Sequence, residues 1–209
     1  PPCGRTRRGR DRPLAGRGVA QDQGGALSRG AWICFLDESG VSLRPPVRRT
    51  WAPRGQTPIL RHRGHWKRAS MAGICCYRPD GSRARLCFHV QPGSYNDLTL
   101  IGVLRQLRRF LRGAPATLVW DNLPSHHSRV MGAWLETQSH WLQVEYLPGY
   151  AHDLDPVEGL WANLKGLELA NLCRDTIAEV IDAAQQGIGR VRRESRLLFS
   201  FLRHCGLDL

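Results

Sequence analysis

Three carboxylates stand where a fold can bring them together. Asp37 follows the apolar run 31–36 (AWICFL), Asp121 follows the run 116–120 (ATLVW), and Glu158 falls in the first turn after Asp155-Pro156. Short, nearly continuous apolar runs read as strands buried on both faces. If the two strands are parallel neighbours, Asp37 and Asp121 lie at one edge of a sheet. A helix packed there brings Glu158 alongside. Three clustered carboxylates repel one another unless a cation neutralises them. Oxygen donors with few Cys or His nearby favour Mg²⁺ or Mn²⁺ over zinc. Two such ions ~3.5–4 Å apart would activate a nucleophilic oxygen and stabilise the leaving oxygen of a phosphodiester. Each acid alone also has an ordinary reading: a strand exit for Asp37, a turn with Asn122 for Asp121, a capping pair with Asp155 for Glu158.

The elements that must position them can be read from periodicity. In the stretch 147–165 (LPGYAHDLDPVEGLWANLK), Asp155 suits an N-cap and Pro156 the first helical position. Val157, Leu160, Trp161 and Leu164 then recur at i, i+3, i+4 and i+7, one apolar stripe of a helix. Lys165, seven residues after Glu158, lies on nearly the same side and reads either as a phosphate-reaching lysine or as a solvated one on the helix face. A helix is expected over 97–111, capped by Asn96 or Asp97, with Arg105, Arg108, Arg109 and Arg112 toward its C-terminal end. Another runs from Pro124-Ser125 to about 137. Strands are expected at 69–77 and 83–90 around the turn Pro79-Asp80-Gly81, and at 141–147. Two shorter strands are expected at 48–51 and 57–60. Thr176-x-x-Glu179 is a capping box opening an amphipathic helix through Val191. Strands first, then strands alternating with helices, is a mixed α/β order.

Composition narrows the partners. Thirty Lys and Arg against eighteen Asp and Glu give a formal charge of +12 and a pI near 10.3. That balance suits nucleic acid ahead of an anionic membrane surface. The 209 residues, 42% hydrophobic, support one main domain with a real core. No apolar run approaches the ~18 residues of a membrane span, and no signal-peptide pattern is present. None of the seven Cys forms a CxxC pair, which argues against a zinc ribbon or a thioredoxin motif. Cys34, Cys75, Cys76 and Cys87 read as small buried hydrophobes, and the irregular usage fits a reducing cytoplasm. Residues 1–30 are Gly- and Arg-rich with no Ile, Phe, Trp or Tyr, and are expected to be a disordered basic segment. The catalytic α/β domain is expected over 31–192 and a C-terminal tail over 193–209. His62 and His65, in the basic loop 61–68, have no acid or Cys beside them and read as surface or phosphate-contacting groups.

Four pieces of the chain match a known pattern in order: FLDESG (35–40), TWAPRGQTP (50–58), WDNLPSH (120–126) and the stretch 147–165, with thirty-six residues between Asp121 and Glu158. Over about 31–188 the chain resembles the catalytic domain of DDE transposases of bacterial insertion sequences in the mariner-like superfamily. The resemblance implies a ribonuclease H-like fold, a mixed central sheet flanked by helices. It implies that Asp37, Asp121 and Glu158 are the catalytic acids and hold two Mg²⁺ or Mn²⁺ ions. Asn122 and His126 would orient the site or contact DNA, as would Arg54, while Trp51 in the same turn as Arg54 would pack in the core. The partners implied are DNA, both transposon ends and target, and a second copy in a homodimer, without a membrane, in a bacterial cytoplasm at the nucleoid. The reaction implied is cleavage by water at the element end, then attack of the freed 3′-hydroxyl on target DNA. The chain departs from the family at Asp155, where Asn is common. It also has only the Gly/Arg-rich segment where helix-turn-helix modules usually precede the domain, so a truncated protein is expected. Two rival readings stay open: a silent remnant that binds DNA nonspecifically, and a ribonuclease H-like nuclease that cuts without joining.

Overall fold

The computed structural model describes residues 25–61, 67–149 and 151–209. Most of the basic segment, Cys3, and the loop histidines His62 and His65 lie outside those residues. Within them a five-stranded sheet has the order β3-β2-β1-β4-β5. The strands are β1 (Trp32–Ser42), β2 (Arg68–Tyr77), β3 (Ala84–Pro92), β4 (Ala116–Trp120) and β5 (Leu142–Tyr146). β1, β2 and β3 pair antiparallel, whereas β4 and β5 join β1 in parallel. The helices are α1 (Asp97–Phe110), α2 (Arg129–Thr137), α3 (Pro156–Gly166), α4 (Ile177–Arg193) and α5 (Ser195–His204).

Strand alternation divides the core between the two faces of the sheet. Ile33 and Phe35 of β1, with Val119 of β4, face α3, α4 and α5 and join Leu160, Trp161, Val180, Ile188 and Leu198. Cys34 and Leu36, with Leu118 and Trp120, face α1 and α2 and join Leu104, Leu107 and Met131. Cys34, Cys75, Cys76 and Cys87 are all buried in these layers. Burial pushes the Cys87 thiol up to about 12, so it behaves as the apolar side chain the sequence suggested.

The helix starts follow side-chain chemistry. Asn96 and Thr99 form a capping box at α1, and Thr176 and Glu179 another at α4. The helix expected from Pro124 is split: a 3₁₀ turn covers Pro124–His127, and α2 begins afresh where the Ser128 hydroxyl accepts from the Met131 N–H at 3.1 Å.

Four expectations need correction. The strands expected at 48–51 and 57–60 do not form; the segment is irregular and residues 47–59 are exposed throughout. Pro45, Pro46, Pro53 and Pro58 lack the N–H that a sheet ladder needs. Trp51, expected in the core, is 98% exposed. The base of this arm is held by Asn171, whose amide bonds both the N–H and the carbonyl of Arg48 at 2.8 and 2.9 Å.

The stretch 193–209 is not a tail. It contains α5, whose Leu198, Phe201 and Leu202 are buried, and the Tyr77 hydroxyl donates to the Leu198 carbonyl at 2.8 Å. Each large apolar side chain buried in this way contributes about 1.5–3 kcal/mol. At the other end, residues 25–29 form a helical turn and Ala26 is fully buried, so ordered structure begins before residue 31.

Candidate active site

β1 runs on past the end of β4. Its last parallel partner is Leu36, opposite Trp120, and from Asp37 to Ser42 it pairs with β2 alone. Asp37-Glu38-Ser39-Gly40 is therefore not a strand exit but the part of β1 whose other edge has lost its neighbour. One residue beyond the Leu36–Trp120 pair, Asp37 and Asp121 come at the same level of adjacent parallel strands. This is the rim arrangement expected from the two apolar runs.

The third acid comes from α3, and glycine makes its approach possible. Opposite Asp37 in the register stands Gly73 of β2. A Cβ there would lie 2.9 Å from the Trp161 ring and 3.0 Å from Leu160. The missing side chain lets the indole approach β2 closely, and its Nε1–H donates to Asp37 Oδ2 at 2.7 Å. At the helix start the Asp155 carboxylate accepts from the Val157 N–H at 2.9 Å, and Pro156 fills the first helical position. These contacts set the height and rotation of α3 and leave Glu158 in its first turn, exposed.

The electrostatics are those of crowded acids. Asp37 is raised to about 6, first by burial, and again by the charges of Glu158 and Glu38; the Trp161 hydrogen bond opposes the rise. Asp155 is raised well above the usual carboxylate range, chiefly by burial, with Asp37, Glu158 and Asp121 all adding to the rise. So Asp155 lies within the electrostatic field of the three other acids, and Asp37 within that of Glu158.

Asp121 is engaged on the opposite side. His126 Nδ1 lies 2.7 Å from its Oδ1 and 3.0 Å from its backbone oxygen. Oδ1 nevertheless has no hydrogen bond of good angle. The single Nδ1–H is directed to the backbone oxygen, and the carboxylate contact is one of charge. His126 is 1% exposed and stacks on Trp120 with ring centroids 3.7 Å apart. Burial pulls its pKa down, but Asp121 and Glu38 outweigh that and hold it at about 9, so the imidazole carries a proton at neutral pH.

The other expected site residues lie further out. Asn122 is exposed and pairs with the His127 ring, which in turn packs on Tyr146. Arg54 sits on the exposed arm. Lys165 is two helical turns from Glu158 and lines a cleft of about 240 Å³ with Val41, Arg44, Pro46 and Leu172. Sequence reasoning missed Glu38 and the Trp161–Asp37 bond. The Asp-Glu pair in a strand was the available signal, because alternation puts the two acids on opposite faces.

Among the described residues no three His, Cys, Asp or Glu side chains are drawn together as a ready-made metal group. The donor chemistry still suits a hard divalent cation. Asp37, Asp121 and Glu158 offer carboxylate oxygens only, and a cation would offset both the burial of Asp37 and the smaller repulsion from Glu158 and Glu38 that raise it.

The DDE superfamily endonuclease family matches residues 32–176, more than half of the chain. The chain belongs to that family. Two solved structures, both of Mos1, extend the match to the fold of this DDE endonuclease. The mariner Mos1 paired end complex with Mg is 19% identical at a TM-score of 0.63, covering 99% of this chain and 64% of that one. The catalytic domain of Mos1 mariner transposase is 17% identical at a TM-score of 0.53, with 99% of both chains covered. The fold is thus ribonuclease H-like, and the chain spans somewhat less than two thirds of the Mos1 chain in that Mg complex. No curated protein matches it. Among the described residues no helix is long and apolar enough to cross a membrane.

Proposed function

We propose that this DDE endonuclease is the catalytic domain of a DNA transposase that cleaves at transposon ends and joins the freed 3′-hydroxyl to target DNA. The observation that carries the reading is the placement of Asp37 and Asp121 at one level of adjacent parallel strands, with α3 tied to Asp37 through Trp161. Asp37, Asp121 and Glu158 would together hold the cations, Mg²⁺ or Mn²⁺. Such ions, when bound, activate the attacking oxygen and neutralise charge that builds on the phosphodiester.

The chain's own residues position and screen. Trp161 fixes the Asp37 carboxylate, His126 fixes Asp121, and the Asp155 cap fixes the helix that presents Glu158. The positive charge of the protein and the exposed arm with Arg48, Arg49 and Arg54 suit a phosphate backbone. Mos1 forms paired-end and strand-transfer complexes, with Mg or Mn in some of them, which supports DNA ends and divalent ions as the partners here. A homodimer is the assembly we assign to it, so that two ends are held together.

A strand-transfer assay tests the reading, using pre-cleaved transposon ends, Mn²⁺ and the Asp121→Asn protein as control. Joining by the wild type and not by the variant is the expected result. Cutting without joining would make the protein a nuclease. Binding without chemistry in either protein would make it a silent remnant.

A further inference from the structure

Glu38 follows Asp37 in β1, so its side chain leaves the opposite face of the sheet. There it meets the α1-side layer rather than α3: its charge bears on Tyr95, and its Oε2 lies 3.5 Å from His126 Nε2. The Glu38 side chain is 16% exposed and that of His126 is 0% exposed. Glu38 Oε1, His126 Nε2 and Asp121 Oδ1 are buried atoms without a hydrogen bond of good geometry. Buried polar atoms without a well-aligned hydrogen bond are costly, so three of them in neighbouring side chains call for an explanation. The line runs Glu38, His126, Asp121, with the imidazole clamped by its stack on Trp120. It lies where β4 ends and β1 continues beside β2 alone.

We propose that Glu38 is a positioning residue, acting through His126 to hold the Asp121 carboxylate in place for cation binding. Asp121 would hold the cation, with His126 behind it at 2.7 Å and Glu38 behind His126 at 3.5 Å. Carboxylates that hold a metal are themselves held from behind by such groups, whose loss typically costs 10–100-fold in metal affinity. Neither Glu38 nor His126 needs to touch DNA or the ion. The assignment rests on the reading of Asp121 as a ligand, and its test must separate the two.

Mn²⁺ affinity of the whole chain, measured by titration calorimetry without DNA, is the readout. Glu38→Ala is expected to weaken Mn²⁺ binding about 10–100-fold. Glu38→Gln keeps the shape and loses the charge, and is expected to fall between Glu38→Ala and wild type with little change in melting temperature. It decides the question should Glu38→Ala fail to fold. A cycle with His126→Gln gives the second measure. If Glu38 acts through the imidazole, the Glu38→Gln, His126→Gln protein binds Mn²⁺ no more weakly than His126→Gln alone. Wild-type affinity in Glu38→Gln, or losses that simply add in the cycle, overturns the proposal. Asp121→Asn is the separating control. If it also binds like wild type, the reading of the acids as the metal site fails; if it alone loses affinity, only the role of Glu38 does.

Discussion

The buried carboxylate at the start of α3 is the sharpest point at which to perturb this protein. Asp155 is 5% exposed, and burial together with three acidic neighbours raises its pKa well above the ordinary 3.8. Its cap needs only an oxygen to accept from the Val157 N–H, and Asn supplies one about as well as Asp. Asp155→Asn therefore keeps the cap and removes the charge. Below about pH 4 Asp155 is protonated in both folded and unfolded chains, and the two proteins should be nearly equal in stability. Above that, the unfolded chain releases the proton and the folded one retains it, so the wild type loses stability as pH rises toward the folded pKa. The gap opens by up to about 1.4 kcal/mol per pH unit. The gap is read as a melting-temperature advantage of the variant that grows with pH, by roughly 2–4 °C for each kcal/mol in a chain of this size. Thermal melts of both proteins from pH 4 to 8, with EDTA to keep cations off the acids, give the difference directly. The effects of groups that titrate alike in both proteins cancel. A gap that stays flat across this range, or a variant less stable than wild type at pH 8, would refute the reasoning.

Other consequences are as direct. Gly73→Ala puts a Cβ 2.9 Å from the Trp161 ring and should cost about 1–3 kcal/mol in denaturant unfolding; strand transfer should fall as well, because α3 carries Glu158. Trp161→Phe removes the hydrogen bond that holds Asp37 down, so in the metal-free protein the Asp37 carboxyl should titrate above its present value of about 6, as read by carboxyl-carbon NMR. No upward movement would mean the indole bond has little hold on that carboxylate. Leu198→Ala should destabilise the domain by about 2–5 kcal/mol, whereas Trp51→Ala should leave the melting temperature unchanged because its ring packs on nothing.

What could be read in advance followed from rules of local chemistry. The apolar runs before Asp37 and Asp121, the Asp155-Pro156 entry and the Thr176-x-x-Glu179 box are each short-range signals, and each appears in the structure as the element expected. The arm at 44–61 misled because alternating residues around a Pro-Arg-Gly turn look like a hairpin. Nothing in that pattern reveals that no strand is available to pair with it, and Trp51 was placed inside on residue type alone. The helix at Ser195–His204 was legible, since Leu197, Leu198, Phe201 and Leu202 repeat at helical spacing. Its position at the end of the chain suggested a tail instead. The contacts at the acids were not legible in principle. That Trp161 reaches Asp37 depends on Gly73, 88 positions before it, and that Glu38 reaches His126 depends on where β4 stops.

α3 is pinned by missing side chains on three sides. Gly73 admits Trp161, its own Gly159 leaves room for Phe201 of α5, and Gly187 of α4 leaves room for Leu164; a Cβ at any of them would come within 2.9 Å of its neighbour. A helix seated that tightly has almost no travel along or across its axis. In the proposed function, Glu158 would complete the set of acids by rotation about its side-chain bonds, which disturbs the packed core far less than moving the helix. In mechanical terms the site is one free lever mounted on a locked bearing. Under the proposed function, Glu158 would then turn toward a cation without the interior being remade.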